Sequence, residues 1–292
     1  MGDQPKMENR LIYDIGMHMG EDAAFYLAKG FEVVGIEANP DLCAAAERRL
    51  AAFRERLRIV NAAIHDEPGM VTFYMNDRVS VWGTTQKQWA ERNARLGTRS
   101  REITVPATTL QDVIAEHGMP YYMKIDIEGS DTMCLDALRD FDERPPYVSI
   151  ESSTTFDGVF TELSKLYELG YRRFKLVAQH TVPKQVCPNP PQEGAYVPHR
   201  FPLGSSGLFG RELPGQWLTL EQTFERYRWI LRRNKLLGES SPLRQLGPIR
   251  AAANLNRTSP YASIRKAYRA ARAALGAVGL RPSHYDTHAM LA

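Results

Sequence analysis

Cysteine is scarce: Cys43, Cys134 and Cys187 are the only three in 292 residues, and no two form a CxxC pair. An odd number at wide spacing supports neither a disulfide framework nor a zinc site, so all three read as reduced filler side chains. No apolar run approaches the roughly 18 residues that a membrane-spanning helix needs. The opening MGDQPKMENR has neither an apolar signal core nor the Arg/Ser-rich character of a transit segment, and a cytoplasmic location is expected. Hydrophobic residues at 43% and charged residues at 24% are ordinary for a folded domain, which excludes collagen, coiled coil and wholesale disorder.

The net charge of +3 conceals an uneven distribution. Residues 211–292 hold 14 Lys/Arg against 5 Asp/Glu, a balance of +9, whereas residues 1–210 hold 23 against 29, a balance of −6. An acidic body thus precedes a basic tail, and the expected division is a first domain over 1–212 and a basic helical extension over 213–292. A basic helix around TFERYRWILRRNKLL mimics a nucleic-acid patch, but the amphipathic pattern reads better as a solvated face with Trp229, Ile230, Leu236 and Leu237 packed inward. No nucleic-acid partner is expected. A second helix pattern follows at PYASIRKAYRAARAAL, and the extension is a candidate for self-association.

The first 180 residues alternate strand and helix patterns. Leu11–Asp14 and Phe31–Glu37 read as strands, each followed by an alanine-rich helix; Leu57–Ile64 reads as a third strand and MVTFYM as an antiparallel or edge strand. Residues 76–100 have no clear period and suit a long loop or lid. Then come Ile103–Pro106, a helix over Thr109–His117, and strands at Tyr121–Ile127, Tyr147–Glu151 and Tyr171–Val177, with Ser130 or Asp131 placed to cap the helix after Ile127. The Pro/Gly-rich stretch 182–214 reads as irregular, with one returning strand near Leu203–Phe209. Alternation of this kind implies a parallel sheet.

Parallel sheets bind ligands beyond the carboxyl ends of their strands. Here those ends carry Asp14 and Gly16, Glu37, Asp126 and Glu128, and Glu151. Burying a carboxylate is costly unless it is paired, so acids at four strand ends imply a polar, hydroxylated or cationic ligand. The first loop, Asp14-Ile-Gly-Met-His-Met-Gly20, lacks the GxGxxG needed to close on a pyrophosphate, while Glu37 is well placed to accept from a ribose. A nucleoside without phosphates fits, and S-adenosylmethionine is such a ligand.

The strings YDIGMHMGEDAAFYLAKGFEVVGIEANP, VNAAIHDEPGMVTFY, TTLQDVI and KIDIEGSD, in that order between Leu11 and Glu151, resemble the FkbM family of S-adenosylmethionine-dependent methyltransferases. SSGLFGRELPGQW and YDTHAML are also similar to some members. The resemblance implies an α/β, Rossmann-like, seven-stranded methyltransferase fold with a mostly parallel sheet. It further implies methyl transfer to a hydroxyl, often on a sugar or polyketide. Carried over residue by residue, it implies cofactor contacts at Asp14, Gly16, Gly20 and Glu37, an adenine-side segment at Asn61 and Ala63, and a KxDxEG motif at Asp126, Glu128 and Gly129. His18 stands where many members have Asn.

The chemistry needs an acceptor oxygen aligned with the methyl group and a proton removed as the bond forms. Asp126, Glu128 and His18 are the catalytic candidates, Asp126 being also a candidate for the cofactor's amino group. His180 reads as a loop residue. Asp126 with Glu151 offers hard oxygen ligands, but Ser152-Ser153 stands where another ligand would help, and no metal is expected. The expected partner is a small-molecule or glycan hydroxyl acceptor; the rival readings are an RNA or DNA methyltransferase and a non-enzymatic adaptor.

Overall fold

The computed structural model describes residues 9–237 and 283–292. In chain order the elements are β1 (Leu11–Ile15), α1 (Glu21–Ala28), β2 (Glu32–Ile36), α2 (Pro40–Arg49), β3 (Leu57–Val60), β4 (Ala63–Ile64) and β5 (Gly69–Asn76). They continue with α3 (Lys87–Arg95), β6 (Ser100–Thr108), α4 (Leu110–His117), β7 (Tyr122–Ile125), α5 (Asp131–Ala137) and β8 (Tyr147–Glu151). α6 (Phe156–Glu168), β9 (Tyr171–Ala178), α7 (Leu220–Leu237) and β10 (Tyr285–Leu291) complete the set.

Local chemistry sets the boundaries. Asn39 caps α2 by accepting from the Asp41 N–H, Pro40 presets the first helical φ, and Arg48 and Arg49 sit in the last turn. Thr109 caps α4 through the Asp112 N–H, and Thr155 caps α6 through the Gly158 N–H. The short strands β1, β2, β7 and β8 are apolar on both faces because helices cover both sides of the sheet.

The main sheet has the order β3-β2-β1-β7-β8-β10-β9, parallel throughout except for β10, which runs antiparallel to both of its neighbours. Strand order reverses between β1 and β7. A second, three-stranded sheet (β4-β6-β5) stands beyond the end of β3, so the stretch 57–64 serves two sheets instead of forming one strand. MVTFYM falls in β5 of this small sheet, where Phe73 packs with Ala38 and Ala63.

The structure differs from several of these expectations. Leu203–Phe209 forms no strand; the antiparallel strand is β10, supplied by YDTHAML. A division at 212/213 would therefore cut the sheet, and the extension is not wholly helical. α7 packs on the sheet, where Tyr227 bonds with Ser152 (β8 end) and Thr287 (β10) in a buried hydroxyl cluster. Its inward face includes Ile230, as expected, and Tyr227, whereas Trp229 and Leu236, expected inward, are exposed. The Leu237 side chain and the helix pattern at PYASIRKAYRAARAAL lie outside the described residues. The stretch 76–100 is better ordered than a loop, since it contains α3. All three cysteines are free and buried. Among the described residues no helix is long and apolar enough to cross a membrane.

Candidate active site

Order reversal between β1 and β7 splays the loops that follow them, and a cleft enclosing roughly 960 Å³ of space, open to solvent, lies there. That is an ordinary size for a cofactor and a small substrate. Gly16 closes the β1 turn: it adopts φ 78° and donates from its N–H to the Ile36 carbonyl at 2.9 Å. A Cβ there would stand 1.8 Å from the Asp126 carbonyl oxygen, so this crossing of two strand ends requires glycine.

Glu37, at the end of β2, lines the cleft with one carboxylate oxygen accepting from the His18 N–H and the other from the Asn39 N–H, each at 2.9 Å. Each oxygen retains acceptor capacity for a diol. Burial pushes its pKa up, against the pull of those two N–H groups. Ala63, Ile64 and Phe73 form an apolar wall beside it.

Of the residues expected at the cofactor, Gly16, Glu37, Ala63 and Asp126 line the cleft; Asp14, Gly20 and Asn61 do not. Asp14 is buried below the floor, where Lys124 Nζ donates to it at 3.0 Å and to the Gly16 carbonyl at 3.2 Å. Gly20 opens α1 and packs against Leu50. Asn61 donates its side-chain amide to the Glu37 and Ala38 carbonyls, fixing the loop that presents the Glu37 carboxylate. These three shape the site without facing it.

Asp126 and Glu128 both reach the cleft because the chain turns sharply after β7. Glu128 takes φ 48°, a left-handed conformation that is strained for a side chain with a Cβ. Asp131 holds the turn by accepting from the Ile127 and Gly129 N–H groups, so it braces the preceding loop and neither it nor Ser130 caps α5 by its side chain. Burial raises the Asp126 carboxyl to about 7, with Lys124, 4.0 Å away, opposing and Glu151 reinforcing. Burial, then Glu151 and Asp126, raise Glu128 to about 9.

His18 also lines the cleft in a left-handed conformation, φ 54°. Its Nδ1 meets the Glu21 carboxylate at 3.2 Å and its Nε2 meets Ser80 Oγ at 2.8 Å. The segment 77–99 therefore covers the cleft as expected of a lid. Thr84 Oγ1 donates to the Glu128 carbonyl at 2.9 Å, Gln86 donates to Ser130 Oγ at 3.1 Å, and Trp89 packs so tightly on Gly129 that a Cβ would sit 2.0 Å from its ring nitrogen. His180 does not line the cleft.

Lys124, Ser80 and Thr84 were not singled out from the sequence. Lys124 carried a signal, standing two residues before Asp126 and so on the same side of the strand. Ser80 and Thr84 carried none, because contacts across a lid have no local pattern.

Residues 14–173 match the Methyltransferase FkbM domain family. The chain belongs to the FkbM methyltransferase family. A methyltransferase of this family takes its methyl group from S-adenosylmethionine, and the Gly16 turn, the Glu37 carboxylate and the apolar wall fit that group. No curated protein matches this FkbM chain. Among solved structures it is similar to the C-terminal domain of precorrin-6Y C5,15-methyltransferase from Rhodobacter capsulatus, at 14% identity and TM-score 0.35, over 58% of this chain and 66% of that one. It is also similar to Aeropyrum pernix fibrillarin in complex with natively bound S-adenosyl-L-methionine (11%, TM-score 0.34, 61% and 64%) and to the StiE O-MT (10%, TM-score 0.37, 97% and 68%). The chain thus spans about two thirds of the length of each.

Proposed function

We propose that this FkbM methyltransferase is an O-methyltransferase whose acceptor is a hydroxyl of a saccharide or a related small polar metabolite, met in the cytoplasm. The observation that carries the reading is the carboxylate set of Asp126 and Glu128 at the cleft, with Glu151 beside them. Carboxylates are acceptors, and a surface dense in them suits a ligand dense in hydroxyl donors. An acceptor without hydroxyls would leave these groups desolvated and unpaired, at a cost of about 1–3 kcal/mol each.

In this reading Glu37 accepts from the ribose hydroxyls, and the backbone at Gly16 comes close to the nucleoside because nothing projects from it. Bound S-adenosylmethionine supplies a methyl group already activated on a sulfonium. What is left to the chain is alignment and a proton. Asp126 accepts the hydrogen bond of the acceptor hydroxyl and orients its oxygen; its carboxyl, raised to about 7, takes the proton near neutrality. Glu128 holds a neighbouring hydroxyl from the other side. His18, held by Glu21 and Ser80, fixes the lid that excludes water.

The test is transfer from radiolabelled S-adenosylmethionine to matched acceptors: saccharides, the same saccharides with the hydroxyls capped, and amino sugars. Methyl ethers located by NMR on the uncapped saccharides are expected. Label found only on amine nitrogen, or on nucleic acid, would overturn the reading.

A further inference from the structure

The set Asp126, Glu128 and Glu151 has a geometric property that hydroxyl recognition does not require. One carboxylate oxygen from each lies within 4.8 Å of the other two, and all three residues are half-buried; Asp126 and Glu128 line the cleft, and Glu151 stands beside them. β7 and β8 pair with Ile125 opposite Ile150, which sets Asp126 beside Glu151; the left-handed turn at Glu128 brings the third carboxylate back over them. Three ionised carboxylates at such spacing repel one another, and either protons or a cation between them must offset that repulsion. Lys124 is the nearest resident ammonium, but it bonds to Asp14 and the Gly16 carbonyl and stays 4.0 Å from Asp126.

A second observation points the same way. Asp286 on β10 stands opposite Glu151 in register, so the two side chains share one face of the sheet. Asp286 is 4% exposed, its Oδ1 accepts from Gln179 at 3.0 Å, and its Oδ2 is buried with no hydrogen-bond partner. Glu151 is served at its edge by Gln179 at 3.4 Å and His284 at 3.5 Å. A fourth, buried carboxylate therefore stands beside the set with an unpartnered oxygen, as an outer ligand for a cation and its waters would.

We propose that Asp126, Glu128 and Glu151 bind one hard divalent cation, of the magnesium or manganese class, at the acceptor side of the cleft, with Asp286 behind it. The ligand set is all carboxylate, with no cysteine or histidine among the three, which suits hard cations over zinc or copper. Octahedral ligands at about 2.1 Å from an ion lie about 3.0 Å apart when adjacent and about 4.2 Å when opposite, a range that a 4.8 Å cluster closes to with small side-chain adjustments. Three ligands leave three positions for water or for an acceptor oxygen. In the loaded protein Asp126 and Glu128 are ligands, in place of the base and hydroxyl-holding roles they take without the ion; only the cation's purpose, holding and acidifying the acceptor hydroxyl, rests on the O-methyl reading, and its binding does not.

The test uses the full chain stripped with a chelator and titrated with Mn²⁺ at 0.15 M salt, free ion being read by electron paramagnetic resonance. One saturable site per chain is expected, displaced by Mg²⁺. Glu151→Gln should weaken it at least tenfold, and Asp286→Asn should weaken it measurably, with thermal melts confirming folded protein. If Glu151→Gln does not fold, Glu128→Gln on the loop gives the same reading. Absence of a saturable site, or unchanged affinity in the ligand variant, overturns the proposal. Stripped enzyme should lose methyl transfer and regain it with Mg²⁺. Specific Mn²⁺ binding without any turnover would instead overturn the O-methyl reading and leave the cation site standing.

Discussion

The Lys124 ammonium and the Asp14 carboxylate form a 3.0 Å ion pair with both side chains almost wholly out of water. The pair sits under the β1 turn, and the same ammonium holds the Gly16 carbonyl. Replacing Lys124 with Met strands a buried acid. We expect destabilisation of about 3–5 kcal/mol, the usual cost of breaking a buried pair, with partial recovery in the double variant Lys124→Met/Asp14→Asn. Denaturant melts of the three proteins check this; a single variant as stable as the parent would show that the pair contributes nothing.

Glu37 accepts from the His18 N–H of the β1 loop and from the Asn39 N–H of its own loop. Glu37→Ala should weaken S-adenosylmethionine binding by about 2–3 kcal/mol, the worth of hydrogen bonds to a charged group. Calorimetric titration is the measurement. Glu37→Gln should lose less, because its amide oxygen can still accept from one ribose hydroxyl.

Asp126→Asn keeps the shape and removes the charge. If the carboxylate aligns the acceptor or takes its proton, single-turnover methyl transfer should slow by about 10²–10⁴-fold while cofactor affinity changes much less. Loss of affinity first, with the rate restored by saturating cofactor, would instead assign Asp126 to the cofactor's amino group.

Stability should fall as pH rises. Burial raises the Asp22 carboxyl to about 6 and that of Glu162 to about 8 in the folded protein, above their ordinary values of 3.8 and 4.5. For both groups folding favours the protonated form, so their contribution is complete below pH 4 and is lost as pH climbs through 6 for Asp22 and 8 for Glu162. Each group changes stability by at most about 1.4 kcal/mol per pH unit within its window. The melting midpoint is expected to be lower at pH 8.5 than at pH 5.5, and Glu162→Gln, whose amide oxygen can still accept from the Ser153 N–H, should shrink the difference.

Strand identity and the acids at strand ends were legible in the sequence because both are local: β-branched apolar runs mark buried strands, and the residue after each run marks its end. Glu37 and Asp126 were found this way. Asp14 looked equivalent to them, but it lies one residue before the end of β1 and points under the turn to Lys124, a distinction that only the pairing of β1 with β7 makes. The strand at Leu203–Phe209 was misread because periodicity gives an element's type and not its partner. The place beside β8 is filled by Tyr285–Leu291 from far along the chain. The adjacency of Glu151 to Asp126, and of Asp286 to Glu151, is likewise a product of register, invisible until strands are aligned.

The insertion of β10 between β8 and β9 bears on how the protein is made. β9 has no partner in the sheet except β10, and about a hundred residues separate them. At about 5–20 residues per second, the ribosome needs roughly 5–20 s to supply the bridging strand after β9 emerges. During that interval the nascent chain displays the open edge of β8, an apolar strand with unsatisfied backbone groups, and β9 has no strand joining it to the main sheet. Stalling or cleavage in that window leaves a product with the β8 edge exposed and prone to pair with other chains.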